Sequence, residues 1–307
     1  MNKIDYDIII VGAGAAGMTA AIYGVRSGKS ILLIEEKMYG GQIINTPQVE
    51  NYPGIETISG ASFATNLYNQ AKGLGAEYLS GKVTEIKDCG DTKEVTVNDN
   101  SYKAESVIIA TGARNRTLNV PGEIELTGKG VSYCATCDGM FFRNRDVAVV
   151  GGGNTALEDA LFLSDYCNKV YIIHRRETFR GEKQLEESLR AKENVVFLLN
   201  RVVEEIQGKE TLESIIVKEK DGDKSEKISI NGLFIAVGQV PDNDVFSNVV
   251  ELDEYGYIAA GEDCKTNCEG VYAAGDCRTK SIRQLTTATS DGAVAALGAC
   301  SYINTKS

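Results

Sequence analysis

The feature that most constrains the fold is a repeat. Gly12-Ala-Gly14-Ala-Ala-Gly17 follows an apolar run, Tyr6 to Val11, and Gly151-Gly-Gly153-Asn-Thr-Ala156 follows another, Asp146 to Val150. Gly12, Gly14 and Gly17 thus recur as Gly151, Gly153 and Ala156, each 139 positions further on. Both loops lead into helical spacing, carried by Met18, Ala21, Ile22 and Val25 in the first and running to about Ser164 in the second. Each helix leads to a further apolar run, Ser30 to Glu35 and Lys169 to His174. Strand, glycine turn, helix and strand, read twice, predict an α/β chain with two doubly wound units around parallel sheets. The glycines let the backbone turn tightly and approach a pyrophosphate, which then sits on the positive end of the helix.

The two units differ at the tip of the second strand. Glu35, 18 residues after Gly17, is placed to accept hydrogen bonds from a ribose hydroxyl. The equivalent position in the second unit is His174, followed by Arg175 and Arg176, with Arg180 close behind. An acid there favours a free 2′-hydroxyl, whereas arginines favour a 2′-phosphate through charge-assisted, often bidentate, hydrogen bonds. The second site is therefore expected to hold NADPH rather than NADH. The competing reading is an exposed basic patch at a strand end, and His174 by itself would more often be structural than functional.

Between the loops lies Cys134-Ala-Thr-Cys137-Asp138-Gly139. Two thiols two residues apart can close a small disulfide ring, and such pairs have lowered thiol pKa values. Half of a zinc site is the alternative, but zinc needs two further ligands. The chain offers one histidine, His174, and Cys264-x-x-x-Cys268 far downstream, which could bind an adventitious metal.

At 307 residues the chain has room for two domains, taking roughly 150 residues for each. The net charge of −11 argues against a nucleic-acid partner. The uncharged run from Ile8 to Val25 raises a membrane span or a signal-peptide core, but it carries four glycines and is preceded by Asp5 and Asp7, and both readings are rejected. The expected compartment is the cytosol, where Cys89, Cys167, Cys277 and Cys300 default to packed or idle thiols.

The remaining segments repeat these themes. Gly40-Gly41-Gln42 and Glu50 to Gly54 read as loops, Phe63 to Gly75 as a helix, Lys82 to Ala104 as strands of a meander, and Val107 to Gly112 as a separate buried strand. Leu233 to Gly238 and Gly270 to Asp276 read as strands, and a closing helix is expected from Gln284 to about Leu297. Asp276 could cap that helix or bind a hydroxylated cofactor, and the residues alone leave both open.

With Cys-Ala-Thr-Cys-Asp-Gly, two glycine loops and His-Arg-Arg in hand, the chain closely resembles the bacterial-type, low-molecular-weight thioredoxin reductases, over nearly its whole length. The resemblance implies a split FAD-binding domain, 1–114 and 246–307, around an inserted NADPH-binding domain, 115–245, which carries the redox-active dithiol. Each domain would have a parallel sheet and a smaller β meander. The implied FAD contacts are Gly12, Gly14, Gly17, Glu35, Gly41, Gln42, Asn51, Thr111, Gly112, Gly275, Asp276, Arg283 and Gln284. The implied NADPH contacts are Gly153, Asn154, Thr155, His174, Arg175, Arg176 and Arg180, with Asn154 standing where many members have aspartate.

The same resemblance makes Cys137 the sulfur nearer the flavin, Cys134 the thiol that attacks thioredoxin, and Asp138 the proton donor and acceptor. It also implies rotation of the inserted domain about crossings near residues 115 and 245, and a homodimer through the FAD domain. Competing functions are a disulfide oxidase passing electrons to oxygen, a ferredoxin-dependent reductase and a non-enzymatic nucleotide-binding redox sensor. The arginine cluster speaks against the first two, and a sensor has little use for a dithiol adjoining a flavin.

Overall fold

A computed structural model of the chain describes residues 4–306. Two compact units emerge, one made of Met1–Arg114 and Val240–Ser307 and the other of Asn115–Gln239. Two short strands, Ala113–Asn115 and Gln239–Pro241, pair with each other where the chain crosses from one unit to the next and returns. Among the described residues no helix is long and apolar enough to cross a membrane.

The first unit is built on a seven-stranded sheet. Tyr6–Val11 lies at its centre, parallel to Ile31–Glu35 on one side and to Asn100–Ile109 on the other. Val271–Ala273 adds a further parallel strand against Asn100–Ile109. Ile8, Ile9 and Ile10 are fully buried, as strands covered on both faces require. The pairing register aligns the strand ends, so that Ile34, Val11, Ile109 and Ala273 stand side by side. Glu35, Gly12, Thr111 and Gly275 therefore leave the sheet at one edge, beyond the carboxyl ends of the parallel strands, where open α/β sheets bind ligands.

Two boundaries differ from the sequence expectation. The last strand of the meander and the strand expected after it are one element: Asn100–Ile109 pairs antiparallel with Lys93–Val97 through its first half and parallel with Tyr6–Val11 through its second. Alternating residues at one end and a wholly apolar stretch at the other look like two strands, because only the second half is covered on both faces. The closing helix runs Leu285–Lys306, well past Leu297. Its small residues let it lie on helix Ala15–Arg26: a Cβ at Gly292 would sit 2.2 Å from the Ala16 carbonyl oxygen, and Ala295, Ala296 and Ala299 are fully buried.

The second unit repeats the plan with an all-parallel sheet, in the order Val195–Leu199, Lys169–His174, Asp146–Gly151, Gly232–Ala236 and Val131–Ser132. A separate antiparallel meander, Arg201–Gly208, Leu212–Glu219 and Ser225–Ser229, covers one face. Helix Asn154–Ser164 covers the other through Leu157, Ala160 and Leu163. The expected architecture, two doubly wound parallel sheets each with a meander, is thus what forms.

Candidate functional site

In the first unit the glycines have separate tasks. Gly12 holds φ +104°, and a Cβ there would lie 2.4 Å from the Ala110 carbonyl oxygen, so the loop crosses the neighbouring strand with no room for a side chain. A Cβ at Gly17 would collide with the Gly12 carbonyl oxygen, whereas Gly14 faces open space at the uncapped start of helix Ala15–Arg26. The first amide groups of that helix are left for an anion. Glu35 is tied to the loop: its carboxylate accepts the Ala13 N–H at 2.8 Å and the Lys37 N–H at 3.0 Å. A carboxylate has lone pairs for about four partners, so capacity for a hydroxyl remains.

The other residues that the resemblance assigns to FAD gather around this edge. Gly40 donates to the Ala13 carbonyl, which brings Gly41 beside Gly14, and the Gln42 amide bonds the Ala113 carbonyl. Asn51 meets Gln284 at 3.4 Å. Thr111 donates to Asn243 at 3.1 Å, and Gly112 turns away at φ +69°. Arg283 lies over the Tyr257 ring and donates to the Asp276 carbonyl oxygen.

Asp276 lies in a 3-10 turn, Gly275–Cys277, several residues before the closing helix, so it is not that helix's cap. Its Oδ1 is buried and has no hydrogen-bond partner among the described residues. Burial pushes its pKa up, against the pull of Lys280 and Arg283. A buried carboxylate oxygen without a donor calls for one, and a hydroxylated cofactor such as FAD fits that need. Sequence reading misses Asn243, a fully buried amide that donates to the carbonyls of Gly256 and Cys277 while accepting from Thr111. Nothing in Asp-Asn-Asp after Pro241 marks it as more than a turn residue.

In the second unit, Gly151 lies against Ala236 and Ala156, Gly153 faces open space, and Gly152 rests on the His174 ring. His174 is buried, stacks on Phe179, and holds Nε2 3.2 Å from the Thr178 carbonyl oxygen. Burial lowers its pKa, with Arg176 and Arg180 pushing the same way. His174 is thus a neutral support beneath the loop. Arg175, Arg176 and Arg180 are exposed, and among the described residues none of them forms an ion pair with a carboxylate. The Arg180 N–H donates to the Gly152 carbonyl at 2.8 Å and folds that arginine back onto the loop. Asn154 opens the helix beside exposed Thr155 and holds Glu182 both ways, accepting its N–H at 2.9 Å and donating to its carboxylate at 3.1 Å.

Cys134 and Cys137 form a disulfide across Cα atoms 5.3 Å apart, at the short helix Ala135–Asp138. Ser132 organises the site: its hydroxyl donates to Asp138 Oδ2 at 2.6 Å and accepts the Cys134 N–H at 3.1 Å. Burial raises the Asp138 pKa, and the Ser132 bond opposes it in part. Sequence reading misses Ser132 as well, although a hydroxyl two residues before the first cysteine is a visible clue. The remaining thiols differ in kind: Cys167, Cys264, Cys268, Cys277 and Cys300 are buried and only Cys89 is exposed. Burial pushes Cys277 up to about 11 and Cys264 up to about 12, which makes both unreactive at neutral pH.

Comparison with known proteins agrees with this chemistry. Residues 6–292 match the family described as pyridine nucleotide-disulphide oxidoreductase. A thioredoxin reductase of Listeria monocytogenes is 46% identical over 300 residues, covering 97% of this chain and 94% of that protein. One of Bacillus subtilis is 43% identical over 304 residues, covering 97% and 95%. The crystal structure of thioredoxin reductase from Streptococcus pyogenes superimposes with a TM-score of 0.94 at 41% identity, covering 98% of each chain. This chain belongs to the pyridine nucleotide-disulphide oxidoreductases and, among them, to the thioredoxin reductases.

Proposed function

We propose that this chain reduces the disulfide of a thioredoxin with electrons from NADPH, relayed by FAD to its own Cys134–Cys137 disulfide. The observation that carries the reading is that disulfide, closed beside a partly buried Asp138 whose pKa burial raises. FAD supplies a two-electron relay between nicotinamide and disulfide. Its binding is assigned to the Met1–Arg114 and Val240–Ser307 unit, through Gly12, Gly14, Gly17, Glu35, Gly41, Gln42, Asn51, Thr111, Gly112, Gly275, Asp276, Arg283 and Gln284. The unpartnered Asp276 oxygen supports that assignment.

NADPH is assigned to the Asn115–Gln239 unit. Gly153, Asn154 and Thr155 would face the pyrophosphate, Arg175, Arg176 and Arg180 would hold the 2′-phosphate, and His174 would set the loop from beneath. Three exposed arginines beside an open glycine loop support this.

Two electrons break the sulfur–sulfur bond and leave a thiolate on Cys137 and a thiol on Cys134, with Asp138 handling the proton. Once deprotonated, Cys134 attacks one sulfur of the thioredoxin disulfide, forming a mixed disulfide and expelling a thiolate that Asp138 protonates. The Cys137 thiolate then attacks the Cys134 sulfur, expels the second thioredoxin sulfur as a thiolate that takes its proton from solvent, and restores the internal disulfide. His174 is engaged with Thr178 and Phe179 and takes no part.

A cytosolic homodimer belongs to the same reading. Six free cysteines suit a reducing compartment, and sedimentation of the purified protein tests the dimer. Anaerobic titration tests the activity: NADPH should bleach the flavin colour, and thioredoxin should restore it stoichiometrically. Bleaching by reduced ferredoxin alone, or reoxidation by oxygen but not by thioredoxin, overturns the reading.

A further inference from the structure

The turn that carries Asp276 is held from behind by a side chain that plays no part in the chemistry above. Asp291, on the second turn of helix Leu285–Lys306, is 5% exposed. Its Oδ2 accepts the Gly275 N–H, Arg278 Nε and Lys280 Nζ, each at 2.9 Å, and its Oδ1 accepts Arg278 Nη2 at 2.9 Å. Arg278 is fully buried and spends its other contacts on the carbonyls of Ala260 and Thr279 and on exposed Glu262. One carboxylate thus takes four donors, about as many as it has lone pairs to offer. Two residues of the turn, Gly275 and Arg278, hang directly from it, and Asp276 sits between them.

A buried ion cluster is a poor device for stability alone, because desolvation cancels much of the attraction and apolar side chains of equal volume often serve as well. What it supplies that apolar packing cannot is direction. It fixes the Gly275 N–H at φ +80°, in a turn where a Cβ would meet Ala16 at 2.9 Å. With the Gly275 N–H held on one side and Asn243 holding the Cys277 carbonyl on the other, the backbone on both sides of Asp276 is pinned, and with it the direction in which its side chain leaves the turn.

Resting on the FAD site proposed above, we propose that Asp291 is a positioning residue for flavin binding: through Gly275 and Arg278 it aims the Asp276 carboxylate at a hydroxyl of FAD.

The test is a double-mutant cycle on deflavinated protein, read by fluorescence titration with FAD and by visible circular dichroism of the bound flavin. Asp291→Asn should weaken FAD binding by roughly 10- to 100-fold, the range for a hydrogen bond to a charged group, and should change the dichroism of the flavin that binds. Combined with Asp276→Asn it should add little, because both act on one contact. Asp291→Glu keeps the charge for Arg278 and Lys280 but moves the carboxyl by one methylene. It should fold, and it should still bind FAD more weakly. Wild-type affinity and dichroism in either variant, or full additivity with Asp276→Asn, overturns the proposal while leaving the flavin site itself intact. A wild-type protein that takes up no FAD overturns both.

Discussion

In the proposed reaction Asp138 carries a proton, and burial favours this by raising its pKa, against the pull of the hydrogen bond from Ser132. Its protonated fraction falls as pH rises through the raised pKa, so the part of turnover that needs a donor should fall over the same range. Asp138→Leu should lower thioredoxin reduction by roughly 10²-fold, leave flavin bleaching by NADPH unchanged, and remove that limb of the pH profile. Steady-state and stopped-flow rates on one preparation check all three. Removing the Arg175 or Arg176 guanidinium should cut the preference for NADPH over NADH by roughly 10- to 100-fold each, measured as a ratio of kcat/KM values. The opposite sign of shift appears at Asp291, whose pKa is lowered because the bonds and charges of Arg278 and Lys280 outweigh its burial. Its contribution to stability is complete above the ordinary carboxylate range, fades as pH falls below that range, and is gone once pH passes the depressed value. In Asp291→Asn the acid limb of the melting curve against pH should be correspondingly flatter.

At the scale of elements, close approach does what bulk does elsewhere. Gly292→Val would drive side-chain atoms into the Ala16 backbone and should destabilise the first unit by about 3 kcal/mol, seen as a lower denaturant midpoint for its unfolding. Both strand–loop–helix–strand units are legible in the chain because periodicity and glycine spacing are local properties. The last turns of Leu285–Lys306 are not: after Leu297 the residues are mostly small or polar, with Ile303 the one large aliphatic anchor buried, and the helix is held there by packing into the core it shares with Ala15–Arg26. Asn100–Ile109 reads as two strands because its halves have different neighbours. Among the residues proposed for the sites, the glycines, Glu35 and the arginines stand out in the chain by spacing alone. Ser132 leaves a clue in its place two residues before Cys134, but Asn243 and Asp291 leave none, because each acts by meeting something distant in sequence: Asn243 joins Thr111 to Cys277, and Asp291 reaches back to Gly275.

At the scale of the molecule, the dithiol belongs to the Asn115–Gln239 unit, and the residues assigned to FAD belong to the other. The reaction needs access to a bulky protein at one step and enclosure at another, and rotation of the inserted unit would reconcile them. A chemical crosslink that fixes the two units should slow turnover; unchanged turnover in a steady-state assay counts against rotation. Asn115–Gln239 has its sheet, meander and hydrophobic cores within one continuous stretch. Expressed alone, it should fold cooperatively by circular dichroism. The first unit has no such independence, since Val271–Ala273 must find Asn100–Ile109 across the whole insertion. On the ribosome, then, the inserted unit of this protein would be finished while the unit that encloses it in sequence still waited with an open sheet edge. A chain cut short before Tyr272 would be expected to leave that edge to other chains, and to collect as aggregate rather than as an apoenzyme awaiting its flavin.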